Sequence, residues 1–268
     1  MPAASTELRD ALGILHAPAQ GAPRIVSLVP SLTELLCDLG LAENIVGRSG
    51  FCIHPRATVK RIPKMGGTKD ADIEKIRAAA PTHLVVNIDE NRREQVEALA
   101  CFVPHVVVTH PLVPEDNLVL FSLFGGIFRR EAEAGKLAAD FRAARAELRR
   151  ETEALPRARV LYLIWKDPWM TVSRDTYISA MLAAAGWDTL PEACAARYPE
   201  VDAVSQGLTS TDHVLLSTEP YRFGEKHLAE AAARFGAPAQ LIDGEMVSWY
   251  GSRAADGLRY LARLRETR

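Results

Sequence analysis

The sequence predicts an α/β protein built as two lobes joined by one long helix. Three observations carry this. Strand-like and helix-like segments alternate from Arg24 onward, opening with Ile25-Val26-Ser27-Leu28. They alternate again from Arg159, opening with Val160-Leu161-Tyr162-Leu163-Ile164. Between the two series lies a charged run, Arg129 to Leu155, in which Ala134, Leu137, Phe141, Ala144 and Leu148 recur at steps of three and four. That is the stripe of an amphipathic helix. Helical throughout, these 27 residues would span about 40 Å. Gly135 is the weak position near its start, and Pro156 stops it. The alternative is an ordinary surface helix within one larger α/β domain. On the first reading the chain divides into an N-terminal extension (1–23), an N-terminal lobe (24–128), the linking helix (129–155) and a C-terminal lobe (156–268).

Each element has its own signal. In the first half, Ile25–Leu28 is a short strand, and Ser31 with Glu34 forms a capping-box pattern ahead of Leu35, Leu36 and Leu39. Asn44–Gly47 is a second strand. The stretch from Arg48 to Lys69 reads as loop, rich in Gly, Pro and basic residues, and a loop of that length in a compact domain is usually functional. Asp72–Ala80 is a helix ended by Pro81, His83–Val86 a strand, and the segment through Leu99 a helix after the polar loop Asn87–Asn91. Val106–Val108 is a strand and Leu118–Phe128 an apolar helix. The order implies a mostly parallel sheet covered on both faces.

The second half repeats the order more loosely. Val160–Trp165 is a strand, Thr176–Ala185 a helix closed by Gly186, and Ala193–Gln206 irregular. Val214–Ser217 is a strand, Lys226–Phe235 a helix, Gln240–Ile242 the last strand, and a final helix runs to about Arg265. The halves resemble each other in element order only, with no short-period repeat.

Apolar residues at 48% and charged residues at 25% are ordinary for a globular protein with a proper core. A net charge of −2 gives no global argument for nucleic acid as a partner. The four cysteines, Cys37, Cys52, Cys101 and Cys194, form no CxxC pair. Neither a zinc site nor a disulfide scaffold is expected, and free thiols are. Residues 1–23 carry Glu7, Arg9 and Asp10 where an export signal needs an uninterrupted apolar stretch. Expressed from Met1, the chain is therefore expected to stay in the cytoplasm.

In open parallel sheets, ligands bind beyond the carboxyl ends of the strands. The first half places Phe51, His54, Glu90, Asn91 and His110 there. The second half places Trp165, Trp169, Glu219 and Tyr221 there, followed by Met246, Trp249, Tyr250 and Arg253. All four tryptophans lie in the second half, three of them in these loops. Aromatic faces with a few polar groups suit a small-molecule cleft, although Trp165 and Trp249 could equally cap the core. Arg253 is placed to meet a ligand carboxylate or phosphate, with an ion pair inside its own lobe as the alternative. The enzyme motifs fail: there is no GxGxxG, P-loop, HExxH or GxSxG. His54 and His110 are assigned no metal.

Several segments, in order, carry a resemblance: RIVSLVPSLTELLCDLG, VGRSGFCIHP, DIEKIRAAAPTHLVV and DGEMVSWYGSR. Together they resemble the class III, helical-backbone substrate-binding proteins of ABC importers, the cobalamin- and siderophore-binding family, over roughly residues 24–266. The resemblance implies two Rossmann-like lobes, a rigid linking helix and a ligand cleft between the lobes. It implies a non-catalytic, periplasmic protein that is a monomer without intrinsic cofactor, and a ligand that is a corrinoid or metal chelate: cobalamin, haem or a ferric siderophore. The alternative is a cytosolic sensor, metallocofactor chaperone or enzyme on the same architecture. Phe51 falls where cobalamin binders place a cleft tyrosine, Trp169 lies near a cleft aromatic, and Met246 stands where tryptophan can occur. Glu74 aligns with the glutamate that meets an arginine of the ABC permease, and Glu225 is its counterpart on the second lobe.

Overall fold

A computed structural model describes residues 7–208 and 211–266. The first six residues of the N-terminal segment and the last two of the C-terminal lobe lie outside the described residues. The chain forms two compact α/β units. Unit 1 takes the chain up to Pro111, then Glu115–Asp140 and Tyr250–Arg253; unit 2 takes Leu112–Pro114, Phe141–Trp249 and the chain from Ala254 onward.

Unit 1 is built on a parallel sheet of β1 (Ile25–Ser27), β2 (Ile45–Arg48), β3 (His83–Asn87) and β4 (His105–Thr109), in the order β2-β1-β3-β4. β1 and β3 are buried at every residue, which is why they read as unbroken apolar runs rather than alternating ones. The helices of this unit are α1 (Pro30–Asp38), α2 (Arg56–Val59), α3 (Ile73–Ala78), α4 (Arg93–Ala100) and α5 (Asp116–Phe128). α1 begins two residues earlier than its capping pattern suggests. Pro30 takes the first helical position and Val29 is the cap, with no side-chain bond, because proline is preorganised for that place. In α3, Asp72, read from the sequence as the first helical residue, is instead the cap, accepting from the Lys75 amide at 3.0 Å.

The N-terminal segment is tied into unit 1 from Leu8 onward. The Ala11 amide donates to the Val108 carbonyl at 2.9 Å, and Asp10 Oδ2 accepts from the Val108 amide at 3.1 Å. The same carboxylate faces His16 Nε2 at 3.2 Å and accepts from the Leu12 and Ile14 amides at 2.9 and 3.0 Å. The segment thus covers the outer edge of β4, where unpaired backbone groups would otherwise template association.

α6 runs Glu131–Thr152, shorter at both ends than the expected 129–155. Arg129 sits in the left-handed region (φ 55°) and closes α5, so a new helix starts only after it. At the far end Glu153–Leu155 leave the helix ahead of Pro156, which disfavours helical geometry in the residue before it. Of the predicted stripe, Ala134, Phe141, Ala144 and Leu148 are buried and Leu137 is half-buried.

Unit 2 contains β5 (Ala158–Trp165), β6 (Met170–Thr171), α7 (Tyr177–Ala184), β7 (Trp187–Thr189), β8 (His213–Ser217), α8 (Leu228–Phe235), β9 (Ala239–Ile242), α9 (Gly244–Ser248) and α10 (Ala254–Glu266). β7, β5, β8 and β9 lie side by side and parallel. That is the strand path of unit 1 repeated: first strand inside, second outside it, third and fourth on the other side. β6 pairs antiparallel with the far end of β5. The likeness of the halves therefore extends from element order to sheet topology.

All four cysteines are free thiols. Burial, with Asp38 and Glu34 nearby, pushes the Cys37 thiol up to about 12.

Candidate functional site

The strand order reverses between β1 and β3 in unit 1 and between β5 and β8 in unit 2, and the carboxyl ends at such a reversal are where open α/β sheets bind ligands. In unit 1 the loop after β3 is held by its own asparagines. Asn87 Oδ1 accepts from the amides of Asp89 and Glu90 at 2.8 and 3.3 Å. Asn91 is buried, accepts from the Asn87 amide at 2.8 Å and donates to the Thr68 carbonyl at 2.9 Å. Asn91, expected as a ligand contact, thus braces this loop with its side chain. Lys69 Nζ donates to the Asp89 carbonyl at 2.6 Å, and His110 Nε2 lies 3.5 Å from Asp89 Oδ1.

Tyr250–Arg253 packs with this unit. The buried Tyr250 hydroxyl donates to Glu90 Oε1 at 2.6 Å, and burial and Glu90 together push its pKa well above the usual phenol value. Asn117 Oδ1 accepts from the Gly251 amide at 2.6 Å. Arg253 grips Glu34 bidentately at 2.8 and 2.6 Å, and Ser252 donates to Asp38. Tyr250 and Arg253, expected as ligand contacts, are engaged inside unit 1. The sequence places Arg253 in the C-terminal lobe, yet its partner Glu34 comes from the N-terminal part of the chain, and both belong to unit 1. Phe51 stands in contrast: it is 63% exposed, on the loop after β2.

In unit 2 the aromatic residues divide. Trp165, at the carboxyl end of β5, is 41% exposed and meets the half-buried Tyr221 edge-on at 5.5 Å. Tyr221 in turn rests on Phe223 at 4.6 Å. Trp169 is core: it is 8% exposed, stacks on Phe223 at 5.7 Å and meets Phe235 edge-on. The turn after Trp165 folds back to form β6, which carries the Trp169 ring under the sheet's cover, so the expectation of an open ring is corrected. Trp249 is buried too, its Nε1 donating to Glu219 Oε1 at 2.8 Å. The same oxygen accepts from Ser248 Oγ at 2.7 Å. Burial pushes the Glu219 carboxyl above its ordinary range, against the pull of those two donors. Met246 is half-buried on α9.

Of the predicted ligand contacts, the aromatic residues with open faces are thus Phe51, Trp165 and, in part, Tyr221. Rings of this kind stack on a flat ligand and carry its affinity. Among the described residues no group of three His, Cys, Asp or Glu side chains is arranged to hold a metal ion. A pocket of about 160 Å³ lies elsewhere on unit 1, lined in part by Arg9, Asp10, Ala11, His110, Val119 and Leu123. It is smaller than the roughly 300 Å³ at which small-molecule sites begin, and it contains none of the open aromatic residues. Sequence reasoning missed the partners that occupy Arg253 and Tyr250. Glu34 was visible only as a helix-capping residue.

Residues 25–202 match the family described as "Periplasmic binding protein". The chain is 24% identical over 188 residues to the vitamin B12-binding protein of Vibrio vulnificus strain CMCP6, covering 68% of this chain and 67% of that one. Among solved structures it is similar to the periplasmic vitamin B12 binding protein BtuF of Vibrio cholerae, with a TM-score of 0.78 at 18% identity over 92% of this chain and 97% of that one. It is also similar to the periplasmic haem-binding protein RhuT from Roseiflexus sp. RS-1, with a TM-score of 0.75 at 23% identity over 92% and 99% of the two chains.

Proposed function

The chain belongs to the periplasmic binding protein family, and on that premise we propose that it captures a cobalamin-, haem- or iron-chelate-type ligand and delivers it to an ABC importer. Members of the family are substrate-binding proteins rather than enzymes, and this chain is one. The observation that carries the choice of ligand is the open ring pair Trp165–Tyr221 at the carboxyl end of β5. A flat macrocycle or aromatic chelate is the ligand such rings hold. On unit 1, taken by itself, Phe51 is likewise an open aromatic face. The metal, where there is one, arrives with the ligand, and the protein acts in the periplasm as a single copy. Glu74, with a side chain 81% exposed, and the exposed Glu225 are the carboxylates offered to arginines of the permease.

The test is a titration of the purified protein with cyanocobalamin, haemin and a ferric siderophore, followed by ligand absorption and tryptophan emission. One of the three is expected to bind with a shifted spectrum and quenched emission. Binding of none of them would sink the reading. With the ligand that binds, Trp165→Ala is expected to weaken affinity about tenfold, from the loss of one stacking face. Trp169→Phe should leave affinity nearly unchanged, since that ring is core.

A further inference from the structure

Beyond Phe51, the loop between β2 and α3 is strongly basic, and that part of it plays no role in the ligand reading. Residues 44–69 contain six of the chain's 32 basic residues and none of its 34 acidic ones. The rest of the chain then carries 26 basic residues against 34 acidic ones, so one short stretch is strongly positive on an otherwise negative protein. The structure fixes this stretch to the edge of unit 1. Residues 63–66 run parallel to the outer side of β2, with the Arg48 amide donating to the Pro63 carbonyl at 3.0 Å and the Met65 amide to the Arg48 carbonyl at 2.8 Å. The Arg48 side chain is itself buried and donates to the carbonyls of Val59 at 2.7 Å and Ser49 at 3.0 Å, clamping α2 down.

Four cations, Arg56, Lys60, Arg61 and Lys64, are displayed on this rigid rim. All are exposed, and none pairs with a carboxylate among the described residues. Ile53, 47% exposed on the same loop, sets an aliphatic side chain among them.

We propose that this rim, Arg56, Lys60, Arg61 and Lys64 with Ile53, docks the protein on a bilayer rich in anionic phospholipid. Single-sign charge on long flexible stems, with an aliphatic residue interspersed, matches a fluid surface of phosphate headgroups. A protein partner calls instead for both signs and for hydrogen-bond acceptors in fixed places. No described helix is long and apolar enough to cross a membrane, so attachment here is peripheral and electrostatic, and salt reverses it.

The test is flotation of the unliganded full chain with vesicles of phosphatidylcholine alone and with vesicles containing phosphatidylglycerol. Binding is expected only to the second kind, and to be lost at high salt. Lys60→Glu with Arg61→Glu is expected to lower the partition coefficient at least about thirtyfold, on roughly 1 kcal/mol for each cation near the surface. Arg149→Glu with Arg150→Glu, the same change in net charge on the exposed face of α6, should bind like the parent. Equal binding of the parent to both vesicle types overturns the proposal. So does parental binding by the Lys60/Arg61 variant, or retention on a polyanion such as heparin with none on anionic vesicles. Because no ligand is present, none of these outcomes bears on the ligand reading.

Discussion

Gly257→Ala is expected to lower stability by about 3 kcal/mol, at the upper end of what an overpacking substitution costs. Gly257 lies inside α10, where glycine is otherwise a poor choice. A Cβ placed there would sit 2.1 Å from the Met246 carbonyl oxygen of α9 and 3.2 Å from Met181 Cε. The methionine tip can swing away. The carbonyl belongs to backbone that leads directly into Trp249 and its bond to Glu219, so it cannot move without loosening that contact. Alanine's better helix propensity returns only about 1 kcal/mol. Gly135→Ala is the control, because Gly135 is also inside a helix but has nothing within 4 Å of its Cβ position. It should raise stability by roughly 0.5–1 kcal/mol. Denaturant unfolding of both variants decides the matter. If Gly257→Ala matches or exceeds the parent, the α9–α10 approach is not the constraint described here.

The contrast between those two glycines also shows where sequence reading stops. Both are single glycines in helical patterns, and nothing local separates them. The difference is a backbone oxygen eleven residues away in the chain and in contact only after folding. The same limit recurs elsewhere. β1, β3, β5 and β8 were legible because each is a buried apolar run bounded by Pro, Gly or polar residues. β6 and β7 were not, since neither Met170-Thr171 nor Trp187-Asp188-Thr189 forms an apolar run. Trp165 and Tyr221 were legible as candidates from their places at the end of β5 and after β8. Trp169 was misplaced because a turn of only a few residues reverses the chain and sends its ring into the core. Arg253 was legible as a cation near the last helix, but its partner Glu34 lies 219 residues earlier. The Tyr250–Glu90 bond spans 160 residues. Pairings of that range follow from topology, which local pattern does not encode.

Unit 1 is expected to weaken sharply between pH 6.5 and 4 through His83. This residue begins β3, is 4% exposed, and stacks on His105 at 4.8 Å with Phe128 edge-on at 5.2 Å. Burial, then the neighbouring His105 and His16, lowers its pKa from 6.5 to about 4. Thr82 Oγ1 lies 2.8 Å from its Nδ1. His16, one of the neighbouring imidazoles, faces the Asp10 carboxylate at 3.2 Å. The folded state keeps His83 neutral where the unfolded chain has begun to bind a proton. The contribution is therefore complete above the unfolded pKa and is lost as pH falls through the folded one. The loss should be on the order of 3 kcal/mol by pH 4. Carboxylates elsewhere also titrate in this range, so the informative quantity is the difference from a variant. His83→Leu should cost some packing at pH 7 yet lose less stability than the parent between pH 7 and 4. Urea midpoints at pH 7, 5.5 and 4 measure it. Parallel pH profiles for parent and variant would mean that His83 admits its proton without strain, and that the stacked pair is not the acid-sensitive point of unit 1.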